Sequence, residues 1–123
     1  MVHKTILVVE DHQVSRDLVV ELLTAAGYIV LEAEDGLGLI ERVKHERPNL
    51  ILMDLQLPHI DGFTLIRQLK TDAETREIPV LAVTAYTQPE QKASALDAGC
   101  AYYLTKPLDT QAVLSVVARF LGQ

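Results

Sequence analysis

Five short apolar runs alternate with five helix-like segments along this chain, and the alternation limits the possible folds more than any other feature of the sequence. Runs rich in Val, Ile and Leu indicate strands, and apolar residues three and four positions apart indicate helices. The predicted strands are residues 5–9, 29–33, 50–54, 79–84 and 101–105. The predicted helices are residues 13–26, 36–46, 63–70, 89–98 and 110–121. Strict alternation requires a parallel sheet with right-handed crossovers and helices on both faces.

The third predicted strand is the most informative one, because four apolar residues run directly into a carboxylate, Asp54. An apolar run this short is typical of a central parallel strand that is covered on both faces. The common doubly wound α/β arrangement at this chain length is flavodoxin-like, a (βα)5 sheet with strand order 2-1-3-4-5. In that order the first and third strands are neighbours, so Glu10 and Asp11 would lie beside Asp54 at the edge where such sheets bind ligands.

The composition fits one folded domain over residues 1–123 and excludes several classes of function. The net charge of -6 disfavours binding to nucleic acid or to an anionic membrane, since both need a basic surface. The single cysteine, Cys100, allows no internal disulfide, and we expect it to be a small buried apolar residue. Because no apolar run is long enough to span a membrane and no signal peptide is recognisable, we expect a cytoplasmic protein.

The residues that follow the strands form a chemically coherent set. Three carboxylates, Glu10, Asp11 and Asp54, would repel one another unless a cation neutralises them. Mg2+ fits, because it prefers oxygen ligands from one or two carboxylates together with water and a phosphate oxygen. The fourth and fifth strands contribute the hydroxyl of Thr84 and the ammonium of Lys106. A nucleophilic carboxylate, a metal site, a hydroxyl and a cation are the groups that phosphoryl transfer to an aspartate requires.

Over essentially its whole length the chain resembles a response-regulator receiver domain of two-component signalling. The residues that carry the resemblance each follow the appropriate strand: Glu10-Asp11, Asp54 with Pro58 and Gly62, Thr84-Ala85, and Lys106-Pro107. The resemblance implies that Asp54 accepts a phosphoryl group from a histidine kinase or a histidine phosphotransfer protein. It also implies a signalling switch rather than an enzyme, one that assists its own phosphorylation and dephosphorylation.

The same resemblance implies a ligand set for Mg2+. Asp11 and Asp54 would bind the ion directly, and the backbone carbonyl of Gln56 would be a third ligand. Glu10 would act mostly through water, because the first acidic position holds Glu rather than Asp.

The resemblance further implies how the phosphoryl group is held and reported. Thr84 and Lys106 would contact its oxygens, and a cis peptide between Lys106 and Pro107 would orient the lysine toward the site. Tyr103 falls on the family's aromatic switch position and would turn into space that Thr84 vacates. A downstream target would bind the fourth helix, fifth strand and fifth helix of a monomer. The chain most resembles stand-alone receivers of the chemotaxis or cell-cycle type without an output domain, although a receiver from a longer protein fits equally.

Other interpretations of these residues exist. A phosphatase of the haloacid dehalogenase type also uses an aspartyl nucleophile and a metal, but its acid-base Asp would stand at Gln56. A flavin-binding electron carrier needs a loop rich in Ser, Thr and Gly after the first strand, where this chain has Glu10-Asp11-His12. Tyr103 could serve only for strand packing. The histidines share no ligand spacing and are expected at the surface, two of them near the acidic residues: His3, His45, His12 and His59.

Overall fold

The computed structural model describes residues 3–85 and 89–122, which form a five-stranded parallel sheet with helices on both sides. The strands are β1 (Thr5–Val9), β2 (Ile29–Ala33), β3 (Leu50–Asp54), β4 (Val80–Thr84) and β5 (Tyr102–Thr105). The helices are α1 (Gln13–Ala25), α2 (Leu39–Glu46), α3 (Gly62–Thr71), α4 (Pro89–Ala98) and α5 (Thr110–Leu121). The strand order is β2-β1-β3-β4-β5, which confirms the predicted flavodoxin-like arrangement. None of these helices has the length and apolar character that a membrane span needs.

Two hydrophobic clusters, one on each face of the sheet, hold the helices in place. On one face the cluster includes residues of α1 and α5, such as Val19, Leu23, Val113 and Val117. On the other face it includes residues of α2, α3 and α4, such as Val43, Leu65, Leu69 and Ala95. All residues of β3 and β4 are buried, whereas the edge strand β2 is partly exposed. The core therefore covers both sides of the two strands that end at Asp54 and Thr84.

The observed boundaries differ from the predicted ones by no more than one residue, except at the start of α2. The spacing predicts a helix from residue 36, but α2 begins at Leu39 because Gly38 has a φ of 68°, a left-handed conformation outside the helical region. Threonine is a common N-cap residue, so the sequence predicts Thr110 as the cap of α5, but the structure makes it the first residue of the helix. The capping residue is Asp109, whose carboxylate accepts hydrogen bonds from the backbone N–H groups of Gln111 and Ala112 at 2.9 and 3.1 Å. Asp is a stronger N-cap than Thr, which explains the difference.

The core-facing side of α1 is not the stripe that its spacing predicts. The predicted apolar positions are Val14, Leu18, Leu22 and Ala25. The structure buries Val19 and Leu23 instead, and it leaves Val14 and Leu18 73% and 61% exposed. The helix carries apolar residues on more than one side, so packing against the sheet and α5 decides which of them are covered. Val14 and Leu18 therefore do not contribute to the hydrophobic core and leave apolar surface exposed on α1.

Cys100 and Thr75 lie in connecting segments, and the burial of each tests a sequence-based prediction. Cys100 is buried, which confirms the prediction made for it. The polar and charged sequence of residues 71–77 predicts a solvated connection. Thr75 lies within it, yet it is fully buried and its hydroxyl donates to the Leu69 carbonyl at 2.6 Å. The prediction is wrong at this position because a hydrogen bond to the end of α3 lets a polar side chain enter the core.

A close approach at Gly62 fixes the start of α3 against the end of β3. A Cβ atom at this position would lie 2.5 Å from the Leu55 Cα and 2.9 Å from the Asp54 carbonyl oxygen, both backbone atoms. The Gly62 N–H also donates to the Leu55 carbonyl at 3.1 Å. Only glycine therefore allows α3 to begin this close to the strand that carries Asp54.

We predict that Gly62→Ala lowers the free energy of unfolding by roughly 1–3 kcal/mol, the usual cost of overpacking, even though Ala favours helix more than Gly does. Urea denaturation measures the change. The matched control is Gly36→Ala, where the new methyl group would meet the flexible end of the Leu65 side chain rather than backbone. Equal losses in the two variants, or a Gly62→Ala protein as stable as wild type, would contradict the proposed backbone clash.

Candidate functional site

An acidic cluster of Glu10, Asp11 and Asp54 lies at the carboxyl ends of β1 and β3. The two strands are neighbours, with Val9 paired to Met53, so the residues that follow them meet at the same edge of the sheet. One carboxylate oxygen from each of the three acidic residues lies within 4.8 Å of the others. Glu10 and Asp54 are buried, whereas Asp11 is exposed. The structure therefore brings together the three carboxylates that the strand order predicts.

Lys106, which follows β5, reaches across to this cluster. Its ammonium group donates to Glu10 Oε1 at 2.8 Å and to Asp54 Oδ2 at 2.9 Å. Its backbone N–H donates to the Thr84 carbonyl at 2.8 Å, which holds it beside the end of β4. The peptide bond between Lys106 and Pro107 is cis, as the family resemblance predicted. One cation thus contacts both buried carboxylates.

The lysine offsets only part of the negative charge. The pKa of Glu10 is raised from its ordinary value of 4.5 to about 7, mainly by burial and further by the hydrogen bond to Asp54 and the charge of Asp54, while Lys106 opposes the rise. Burial disfavours the charged form of Lys106, but its hydrogen bonds to Glu10 and Asp54 raise its pKa overall. Three carboxylates and one ammonium leave an excess of negative charge and an all-oxygen donor set. Such a set fits a hard divalent cation such as Mg2+.

Gln56 connects the ends of β3 and β4. Its backbone N–H donates to Asp54 Oδ1 at 2.8 Å, and this hydrogen bond helps to orient the carboxylate. Its side-chain Oε1 accepts a hydrogen bond from the Ala85 N–H at 3.2 Å. The Gln56 side chain carries no titratable group, so it offers no acid or base beside Asp54.

The two predicted switch residues are in direct contact. Thr84 is fully buried at the end of β4, and Tyr103 pairs with Ala82 on the neighbouring strand β5. Burial raises the pKa of Tyr103, and a hydrogen bond with the Thr84 side chain opposes this rise. Tyr103 packs with the cluster on the face of α2, α3 and α4, whereas Leu104 packs on the opposite face.

An apolar groove adjoins the acidic cluster on the α1 face, and we call it the α1 groove. It is a cavity of about 480 Å³ between α1 and the connection from β5 to α5. Helix α1 contributes the exposed Leu18 and the partly buried Leu22, Leu108 lies opposite, and Glu10 and Lys106 line the same cavity. The groove therefore offers apolar surface to another molecule within reach of charged site residues.

All four histidines are exposed, as predicted: His3, His12, His45 and His59. His12 lies next to the acidic cluster, where its backbone N–H donates to Glu10 Oε2 at 3.4 Å and its Nδ1 accepts from the Ser15 N–H at the start of α1. Sequence reasoning missed Arg16, whose guanidinium donates to the Glu10 carbonyl at 2.8 Å. Its only sequence signal is a basic residue one turn into the helix that follows the acidic pair.

A family model, sequence relatives and solved structures all indicate the same family for this chain. The family model of the response regulator receiver domain matches residues 6–118. The polar-differentiation response regulator DivK of Brucella anthropi is 34% identical over 119 residues, which cover 97% of this chain and 97% of DivK. A Pseudomonas aeruginosa sensor histidine kinase receiver domain, crystallised with a magnesium ion coordinated in its active-site cleft, is 30% identical with a TM-score of 0.90, covering 99% of this chain and 100% of that one.

The chemotaxis response regulator CheY4 of Vibrio cholerae is 27% identical with a TM-score of 0.90, covering 97% of this chain and 99% of CheY4. Receiver domains are signalling switches that act with a histidine kinase or phosphotransfer partner, and they bind Mg2+ at an acidic cluster such as the one found here. On the extent of these matches, the chain belongs to the response-regulator receiver domain family.

Proposed function

We propose that this protein is a phosphoryl-accepting switch in which Asp54 receives a phosphoryl group from a phosphohistidine donor in an Mg2+-dependent reaction. The observation that carries the proposal is the buried Asp54 carboxylate, held by Lys106 at 2.9 Å beside two further acidic residues. An Asp54 oxygen would attack the phosphorus, forming an O–P bond while the P–N bond to the histidine of the donor breaks. The electron pair of that bond leaves with the imidazole.

Within this proposal the metal is held by Asp11, Asp54 and the backbone carbonyl of Gln56, with Glu10 acting through water. Support comes from the all-oxygen donor set and from the magnesium ion in the similar Pseudomonas receiver. Bound Mg2+ supplies positive charge against the transferring phosphoryl group. The exposed position of Asp11 leaves it accessible to an ion that keeps several waters.

Lys106 and Thr84 are proposed to bind the phosphoryl oxygens. The Lys106 ammonium already contacts Asp54, so it can neutralise charge that develops on an oxygen attached there. The same groups would assist attack by water on the acyl phosphate, so the protein would promote its own dephosphorylation as well as its phosphorylation. The phosphatase alternative is disfavoured because Gln56 replaces the required acid-base carboxylate.

The phosphodonor is proposed to be a histidine kinase or a histidine phosphotransfer protein that contacts the α1 groove. Leu18 is exposed there, and the groove includes Glu10 and Lys106, so an apolar partner bound to it would lie beside the site. All proposed site residues come from one chain, which supports a monomer as the acting unit. The lone Cys100 supports a reducing compartment, and we propose the cytoplasm.

The signal is proposed to leave through Thr84 and Tyr103 to a target that binds α4, β5 and α5. A phosphoryl group adds negative charge and acceptor oxygens, which would draw the Thr84 hydroxyl toward Asp54. Because Thr84 is hydrogen-bonded to Tyr103, this movement would change how Tyr103 packs beside α4. Phosphorylation would then shift a population between two packings, and a target that prefers one of them would respond.

We predict that Asp54 is the only phosphorylated residue. Incubation with acetyl phosphate and Mg2+ should add the mass of one phosphoryl group, removable by hydroxylamine as expected for an acyl phosphate. The adduct should be absent with EDTA and absent in Asp54→Asn, and it should persist in Asp97→Asn, which changes an exposed carboxylate on α4. An adduct on Asp54→Asn would refute the assignment.

We predict that the metal-free protein loses stability as the pH rises from about 5 to about 7. The pKa of Glu10 is 4.5 ordinarily and about 7 in the folded protein, so the folded state binds more protons between these values. The contribution of neutral Glu10 to the free energy of unfolding is therefore fully present below pH 4.5 and is lost as the pH rises through about 7. The free energy of unfolding should fall by up to about 1.4 kcal/mol per pH unit in this range. Urea denaturation in EDTA across this range measures the slope.

Glu10→Gln should flatten this slope, and the exposed control Glu21→Gln should leave it unchanged. Saturating Mg2+ should flatten the wild-type slope as well, because a bound cation favours the ionised carboxylates. If wild type and Glu10→Gln show the same slope in EDTA, Glu10 is not the group responsible.

We predict that Thr84→Ala and Tyr103→Ala interrupt transmission to α4 and α5. Beryllofluoride with Mg2+ mimics the phosphoryl group, and amide chemical shifts report the response of residues 89–98 and 110–121. Wild type should show the changes in full, and both variants should lose most of them. Tyr102→Ala is the matched control, because neighbouring residues of a strand point to opposite faces and Tyr102 lies away from Thr84. Full transmission in both Thr84→Ala and Tyr103→Ala would exclude this route.

A further inference from the structure

We propose that Arg16 is a positioning residue that fixes the turn carrying Glu10 and Asp11 and thereby sets the affinity of the site for Mg2+. Its guanidinium Nη1 donates to the Glu10 carbonyl at 2.8 Å, and its Nε contacts Glu32 Oε1 at 3.2 Å. The Arg16 side chain is only 13% exposed although it lies on a surface helix. This inference rests on the proposed Mg2+ site and names a residue that would not touch the ion.

The contacts of Arg16 complete the backbone hydrogen bonding of Glu10. The Glu10 N–H donates to the Ala33 carbonyl at 3.0 Å, an extension of the pairing between β1 and β2. Its carbonyl lies beyond the end of the strand and is bound by Arg16 instead. With both backbone groups held, the peptide between Glu10 and Asp11 has a fixed orientation. That orientation sets the direction of the Asp11 side chain, which the Arg16 contact would therefore control.

Arg16 is itself held in place from two sides. Its backbone N–H donates to the His12 carbonyl in the first turn of α1, at 2.9 Å. Its guanidinium is paired with Glu32 on β2, so the helix, the acidic turn and the edge strand are joined at one side chain. Arg42 also donates to Glu32, through the Glu32 carbonyl, but it makes its other contact with Glu46 rather than with the acidic turn. The chain thus provides two arginines on one glutamate, of which only Arg16 contacts Glu10.

Whether the loss of Arg16 weakens or strengthens Mg2+ binding distinguishes a positioning role from a purely electrostatic one. A guanidinium near three carboxylates repels a cation, so removal of its charge alone would strengthen Mg2+ binding. Loss of a residue that orients metal ligands weakens binding, typically by roughly 10–100-fold. The two explanations predict opposite changes in the same measurement.

The test is calorimetric titration of metal-free protein with Mg2+ alone, for wild type, R16Q, R16K and R42Q. We expect R16Q to bind Mg2+ roughly 10-fold more weakly than wild type or worse. R42Q removes an arginine that binds the backbone carbonyl of the same glutamate without touching the acidic turn, so it should bind Mg2+ within about twofold of wild type. R16K keeps the charge but loses the planar fork that binds the Glu10 carbonyl and Glu32 at the same time, so its affinity should lie between those of wild type and R16Q.

A folded R16Q protein that binds Mg2+ as tightly as wild type, or more tightly, overturns the inference. If R16Q does not fold, as judged by circular dichroism, R16K decides: weaker binding than wild type supports the inference, and equal or tighter binding overturns it. An equal loss in R42Q would also overturn it, because that variant leaves the contact between Arg16 and the Glu10 carbonyl intact. Absence of Mg2+ binding in wild type would instead refute the proposed metal site itself.

Discussion

The contact of Lys106 with Glu10 and Asp54 is the interaction on which the site depends. Two carboxylates that are almost completely buried lie close enough to repel each other. A single ammonium group at 2.8 and 2.9 Å offsets part of this repulsion and of the desolvation cost of burying them. The lysine reaches them only because β5 lies next to β4 and β4 next to β3. Strand order and electrostatics are therefore linked, since another order would leave buried negative charge without its partner.

The sequence was sufficient to predict the fold and the residues gathered at the site. The carboxyl ends of parallel strands meet at one edge, so the strand order alone predicts that Glu10 and Asp11 lie beside Asp54, and the structure confirms this grouping. The direct contact between Lys106 and two of these carboxylates depends on side-chain reach, which no periodicity contains. The roles of these residues in phosphoryl transfer remain predictions.

The rotation of α1, the N-cap of α5 and the contact of Arg16 could not be predicted from the sequence, because they depend on packing and on competition between neighbouring residues. The apolar spacing of α1 does not determine the rotation of the helix, so Val14 and Leu18 fit a core-facing stripe and yet are exposed. Thr110 resembles an N-cap, but the preceding Asp109 caps the helix better. Arg16 was missed because its contact with the Glu10 carbonyl exists only after the turn between β1 and α1 has formed.

The division of the core by the sheet has a consequence for how such a protein can diversify. The α1 groove lies on the face covered by α1 and α5, whereas Tyr103 packs on the face covered by α2, α3 and α4. Under the proposed function, substitutions of Leu18 or Leu22 on α1 would change the contact with the phosphodonor without touching the α4 part of the target surface, whereas α5 belongs to that surface and also contributes Thr110 to the groove. The choice of donor could therefore evolve on α1 while the target contact on α4 stays the same, but a substitution at the start of α5 could change both.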